Sequence, residues 1–165
     1  PCPEAEAVTI DTVPVSGLEG MIADGTTLVV DFADSRAFRA GHIAGAWWTI
    51  RSRIADALER LPKAASYVVT ADDDRLALLA AVDMAAHAAV PIRVLEGGTA
   101  AWRAAGRPLA KGHDNMAAEV EDFYILPIDR ESGVEEAMQG YLDWEIALID
   151  RLAEDGTLNF PDFAL

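Results

Sequence analysis

Val68-Val69-Thr70-Ala71-Asp72-Asp73-Asp74-Arg75-Leu76-Ala77 runs from a β-branched apolar segment through a polar loop into an alanine- and leucine-rich pattern that continues to Ala89. Composition and period predict a strand, a tight loop and a helix, in that order. Such a junction suits chemistry. Loop N–H groups and the positive end of the helix dipole converge on one point and favour an anion there. A cysteine at that point would be a nucleophile of lowered pKa. This chain has Thr70 or Ala71 there, followed by Asp72, Asp73 and Asp74. The expectation is an anion-binding loop without a thiol, filled instead with negative charge.

Strands and helices alternate outward from this junction. Upstream, Val8-Thr9-Ile10 is a short strand candidate. Residues 15–24 read as a helix stopped by Gly25, with Ser16 and Glu19 spaced for a capping box. Residues 27–32 are apolar enough for a central parallel strand. A short helix over 34–39, a turn over 41–46 and a strand over 47–50 follow. Residues 52–61 form a helix stopped by Pro62, with Ile54, Ala57, Leu58 and Leu61 on its apolar side and Arg51, Arg53 and Arg60 towards solvent. Beyond the central junction come a strand over 92–95 and a helix over 99–105, with Gly106 as its cap. This order calls for an α/β fold: a mostly parallel central sheet flanked by helices.

From Lys111 the pattern becomes irregular. Ser132-Gly133-Val134-Glu135 then has the form of a capping box, and a helix is expected to about Glu154. Val134, Met138, Tyr141, Leu142, Leu148, Ile149 and Leu152 share one broad face, which must bury against the core, a neighbouring domain or a subunit.

The chain has 165 residues, 52% of them hydrophobic, enough for one domain with a core. Its net charge of −15 argues against nucleic acid and anionic membrane surfaces as partners. No apolar run is long enough to span a membrane. Cys2 is the single cysteine, which excludes an intrachain disulfide and a cysteine-built metal site. The first residues carry no secretory pattern and read as a linker, so a segment of a longer, cytoplasmic protein is expected.

Two motifs resemble the rhodanese (sulfurtransferase) family. Residues 31–46 begin with Asp31 at a strand end and finish Gly41-His42-Ile43-Ala44-Gly45-Ala46, similar to the family's G-H-I-x-G-A. Residues 95–108, with Gly97, Gly98, Trp102, Gly106 and Pro108, resemble its L-x-G-G-x-x-A-W-x-x-A-G-x-P. The resemblance covers roughly residues 8 to 110. It implies a rhodanese-like three-layer fold over residues 1–112, with 113–165 as a helical C-terminal extension. Tyr141, Trp144, Glu145, Asp155, Gly156 and Phe160 are similar to the extension that follows the last module of multi-domain rhodaneses. In that family a loop cysteine, in a pattern like C-x-x-G-x-R-S, carries sulfane sulfur from thiosulfate as a persulfide. Matching Arg75 to the motif arginine puts Thr70 at the cysteine and Asp73 at the glycine. Counting back from Gly97-Gly98 puts Ala71 and Asp74 there. Neither alignment supplies sulfur. Ala33 and Ala37 also stand where the family usually has Arg and Glu.

The resemblance therefore implies a non-catalytic structural, regulatory or interaction module, inactive on its own. Its partners would be other rhodanese modules of the same chain or a separate protein. The alternative is an active enzyme with the cysteine supplied by another domain, or with different chemistry in the same pocket. The vestigial loop would be Thr70, Ala71, Asp72, Asp73, Asp74 and Arg75. Asp31, Gly41, His42, Gly45, Gly97, Gly98 and Trp102 would be structural. No cofactor and no metal are expected: consecutive aspartates rarely converge on one cation, and a solvated acidic loop is the simpler reading. His42 should order its turn, His87 lie on the surface and His113 in a linker. A Thr70 hydroxyl without a base would be inert. Trp47 and Trp48 should enter the core, one on each sheet face.

Overall fold

Alternating apolar side chains let each strand feed two cores at once. The computed structural model describes residues 10–123, 126–129 and 132–155. In chain order the elements are β1 (Asp11–Val13), α1 (Val15–Ala23), β2 (Thr27–Asp31), α2 (Ser35–Ala40), β3 (His42–Ile43) and β4 (Trp47–Trp48). A 3₁₀ turn (Arg51–Arg53), α3 (Ile54–Arg60), β5 (Ser66–Thr70), α4 (Asp74–His87), β6 (Ile92–Leu95), α5 (Gly98–Ala104) and β7 (Leu109–Ala110) follow. A second 3₁₀ turn (Pro127–Asp129) and α6 (Val134–Asp155) close the series.

The main sheet has the order β1-β6-β5-β2-β4, and every pairing in it is parallel. Val30, Val69 and Val94 point to one face, where Ile54, Ala57, Ala77, Ala80 and Met84 of α3 and α4 cover them. Val29, Val68 and Leu95 point to the other, against Leu18, Phe38 and Trp102 of α1, α2 and α5. Trp47 packs with the first cluster and Trp48 with the second, one on each face as expected. Small residues on α4 let it lie close against the sheet. A two-stranded antiparallel ladder joins β3 to β7.

The chain leaves β2 towards β4 on one side, returns to β5 on the other, and continues outward to β6. The order therefore reverses between β2 and β5. At such a switch point the connections diverge and leave a crevice beyond the carboxyl ends of the strands.

Several boundaries differ from expectation. The first strand is Asp11–Val13, in register with Arg93–Leu95, where pairing with β6 is available. Val8 and Thr9 lie outside the described residues. Ser16 does not cap α1: the cap position is Pro14, two residues earlier, with no side-chain cap, and Glu19 instead accepts from Arg107 at 2.8 Å. The helix expected from Ser52 opens as a 3₁₀ turn and becomes α-helical only at Ile54. The central helix begins at Asp74, because Asp73 caps it. Gly133 has φ +65°, so α6 starts at Val134 and Ser132 lies one residue too early for a capping box.

The described chain divides into two compact units, the first ending at Asp122 and the second beginning at Phe123. Residues 113–122 thus go with the sheet. Trp48 N–H donates to Asn115 O at 2.9 Å, and Ala117 N–H donates to Trp48 O at 2.8 Å, so this strap continues the sheet beyond β4. Arg60 adds a bond to Ala117 O at 3.3 Å. In the second unit, α6 leaves Leu142, Trp144, Ile146 and Ile149 exposed. Among the described residues no helix is long and apolar enough to cross a membrane.

Candidate functional site

Parallel register brings the ends of β2 and β5 together. Asp31 pairs with Thr70 on one side and Trp48 on the other. Asp31 is buried, and its carboxylate accepts the Ala33 N–H at 2.9 Å. Thr99, at the start of α5, places its hydroxyl 3.5 Å from that carboxylate and 3.0 Å from the Thr70 hydroxyl. A carboxylate and two hydroxyls thus link β2, β5 and α5 beneath the crevice. Burial is the main cause that pushes Asp31 up to about 7; the Ala33 N–H opposes it, the charge of Asp72 adds to it and the Thr99 hydroxyl opposes it.

The loop between β5 and α4 is only Ala71, Asp72 and Asp73. Ala71 is buried, and its carbonyl oxygen lies against the Cα of Gly98. A Cβ on Gly98 would sit 2.5 Å from that oxygen, and Gly98 has φ +59°. Glycine is required there for both reasons. It brings the start of α5 onto the loop. The loop itself uses no left-handed residue: Asn115 is the one non-glycine with positive φ among the described residues.

The backbone N–H groups of residues 33–37 and of Leu76 hold carboxylates. Ala33 N–H goes to Asp31 and Ser35 N–H to Asp122 at 2.5 Å. Arg36 and Ala37 N–H both go to Asp34 at 2.9 Å, the cap of α2. Asp34 N–H serves Asp72. Leu76 N–H goes to Asp73 at 2.9 Å, the cap of α4. Partial burial, then the charge of Asp34, raises Asp72 above the usual carboxylate range, while Arg103 and the Asp34 N–H pull it back. An arriving anion would meet the like charge of Asp72 and Asp34.

Of the residues singled out from the sequence, Asp31, Thr70, Ala71, Asp72 and Gly98 meet at this crevice. Asp73 and Asp74 turn away into the cap and first turn of α4, and Arg75 is exposed beyond them. The Thr70 hydroxyl is fully buried, so it presents no accessible nucleophile. His42 donates its Nδ1–H to Phe38 O at 2.7 Å and stacks on the Phe38 ring, which orders the turn. Gly45 supplies φ +80° in that turn. Trp102 Nε1 donates to Pro108 O at 3.1 Å, holding the chain end of α5. His87 is exposed. Among the described residues, no three His, Cys, Asp or Glu side chains are placed to hold a metal ion. Cys2, Gly156 and Phe160 lie outside the described residues.

Thr99, Arg103 and Asp122 were not singled out from the sequence. Thr99 follows Gly97-Gly98 directly, so its nearness to the loop was foreshadowed. Asp122 is far along the chain and arrives only because the strap follows β4.

Residues 15–105 match the family described as the rhodanese-like domain. Among solved structures, a thiosulfate sulfurtransferase from Pseudomonas aeruginosa matches at 38% identity and a TM-score of 0.79, over 94% of this chain and 30% of that one. The chain therefore spans less than a third of that protein's length. A protein of unknown function from Rhodopseudomonas palustris, described as a possible tyrosine phosphatase, matches at 24% identity and a TM-score of 0.54, over 65% of this chain and 89% of that one. The rhodanese-like domain of an Anabaena protein matches at 22% and 0.55, over 71% and 92%. These last two show likeness of fold alone. No curated protein matches the chain.

Proposed function

The chain belongs to the rhodanese-like family, and from that premise we propose that it is a non-catalytic module of a sulfurtransferase-related, cytoplasmic protein, serving a structural, regulatory or interaction role. The observation that carries this reading is the filling of the crevice. Thr70 ends β5 and Ala71 follows it, Asp72 brings negative charge to the crevice, and carboxylates hold the N–H groups of residues 33–37 and of Leu76. Sulfur transfer requires a thiolate, free N–H groups around it and tolerance of an anion. The loop side chains Thr70, Ala71, Asp72 and Asp73 offer no thiolate and bring negative charge in its place. The partner on this reading is another rhodanese module or a separate protein.

A second reading is favoured by the likeness to the Pseudomonas aeruginosa thiosulfate sulfurtransferase, of which this chain spans 30%. On that reading the chain contributes to an active sulfurtransferase whose thiol lies in another module. A thiosulfate:cyanide assay tests the first reading. The chain, and its Cys2→Ser variant, should form thiocyanate no faster than buffer. Turnover that survives Cys2→Ser would refute the proposal. Activity of a longer protein containing this chain, lost on removing the chain, would favour the second reading.

A further inference from the structure

Asp31 holds one of the donors at the crevice, the Ala33 N–H, and its setting is unusual for a carboxylate. It is 1% exposed, with one short hydrogen bond, from Ala33 N–H, and a Thr99 hydroxyl 3.5 Å away. Among the described residues no cation pairs with it. A buried carboxylate without a cation favours its neutral form. From this geometry we propose that Asp31 is the sensor of a pH-operated latch: its proton holds the β5–α4 loop and the start of α5 closed, and loss of that proton releases them.

Protonated Asp31 can donate to Thr99, whose hydroxyl bonds onward to Thr70. One proton then orders a chain of contacts across β2, α5 and β5. Ionised Asp31 is a buried charge that must reach water. On this side lies the buried Thr99, next in the chain to Gly98, which packs on the buried Ala71. Gly98 lies so tightly on the Ala71 carbonyl that the loop and α5 must shift together. The charged groups acting here are Asp72 of the loop, which faces Asp31 with the same sign, and Asp34 and Arg103, which act on Asp72 with opposite effects.

The sign follows from linkage. Closed, Asp31 holds its proton up to about 7; hydrated in an open state, it would ionise near the ordinary 3.8. Opening is therefore favoured progressively as pH rises between these values and levels off above the higher one. The ceiling over the whole window is roughly a thousandfold in the opening equilibrium.

Hydrogen exchange on the intact chain tests this, with rates corrected for the intrinsic pH dependence of exchange. Between pH 5 and 8, amides of residues 71–75 and 98–101 should open at least tenfold more readily in the wild type. In Asp31→Asn, which keeps the volume and cannot ionise, they should show no rise. A flat wild-type profile, or the same rise in Asp31→Asn, overturns the latch. Should Asp31→Asn fail to fold, carboxyl-carbon NMR of the wild type decides: a midpoint near 7 for Asp31 supports the latch, and one near 4 overturns it.

Discussion

Placing a single methyl group on Gly98 tests how tightly the loop and α5 are joined. In Gly98→Ala the new Cβ would sit 2.5 Å from the Ala71 carbonyl oxygen, close to an ångström short of ordinary contact. That oxygen belongs to buried backbone one residue past β5, so it cannot swing away like a side chain. Two penalties combine. A non-glycine residue at φ +59° costs about 1–2 kcal/mol. Relieving the overlap by shifting packed backbone costs a further ~1–3 kcal/mol. Gly106→Ala separates them: Gly106 has φ +73° and open space where its Cβ would go, so only the first penalty applies. Urea unfolding of both variants, followed by tryptophan fluorescence and circular dichroism, gives the difference. Gly98→Ala should be less stable than Gly106→Ala by about 1–3 kcal/mol, with unchanged denaturant slopes. Equal destabilisation of the two would refute the close approach and, with it, the coupled movement of loop and helix.

Global stability should follow the charge state of Asp31. Its contribution is fully present below the unfolded pKa near 3.8 and is lost as pH rises through about 7; the loss, read as the wild-type pH profile minus that of Asp31→Asn, is on the order of 4 kcal/mol at most. Trp48→Phe removes the Nε1–H donated to Ala33 O at 2.8 Å and opens space at a fully buried site, and should cost about 2–4 kcal/mol in chemical unfolding; a loss under half a kcal/mol would contradict that packing. Ending the chain at Lys111 strips the strap from β4 and should give a less stable, aggregating product by light scattering, whereas ending it at Asp122 should leave the first unit monomeric and folded. Ala71→Cys or Thr70→Cys alone should stay near the uncatalysed thiosulfate rate, because Asp72 and its neighbours disfavour the thiolate; clear turnover with a thiol pKa below that of free cysteine would show a cradle strong enough to outweigh them.

The sheet was legible because its strands carry their signal locally. Leu28, Val29 and Val30, or Tyr67, Val68 and Val69, are apolar on both faces, and only a buried parallel strand uses both. Helix starts were less legible. Asp73 and Ser16 are both acceptable caps by type, yet only Asp73 sits at the N-cap of its helix, while Ser16 lies inside α1. Thr70 and Ala71 identified the loop, and its aspartates announced its charge. What local pattern could not convey was where each carboxylate points. Asp72 reaches across to the Asp34 N–H, while Asp73 folds back onto its own helix. Nor could it show that Asp122, more than eighty residues beyond Ser35, would close the donor set. Those outcomes depend on the path of the strap after β7, a stretch without periodicity.

That path also sets a timetable. The first unit is not completed in the order in which it is made. β1 leaves the ribosome first and has no partner until Arg93–Leu95 of β6 follow. The outer edge of β4 waits longer still, for Asn115 and Ala117. At about 5–20 residues per second, several seconds pass between synthesis of Trp48 and arrival of the backbone that satisfies it. During that interval the nascent chain carries an open strand edge, with Trp47 and Trp48 on its opposite faces. Such edges recruit other chains. The nascent protein is therefore most vulnerable to misassembly just before residues 115–117 emerge, and slower translation over residues 50–115 would lengthen the exposure.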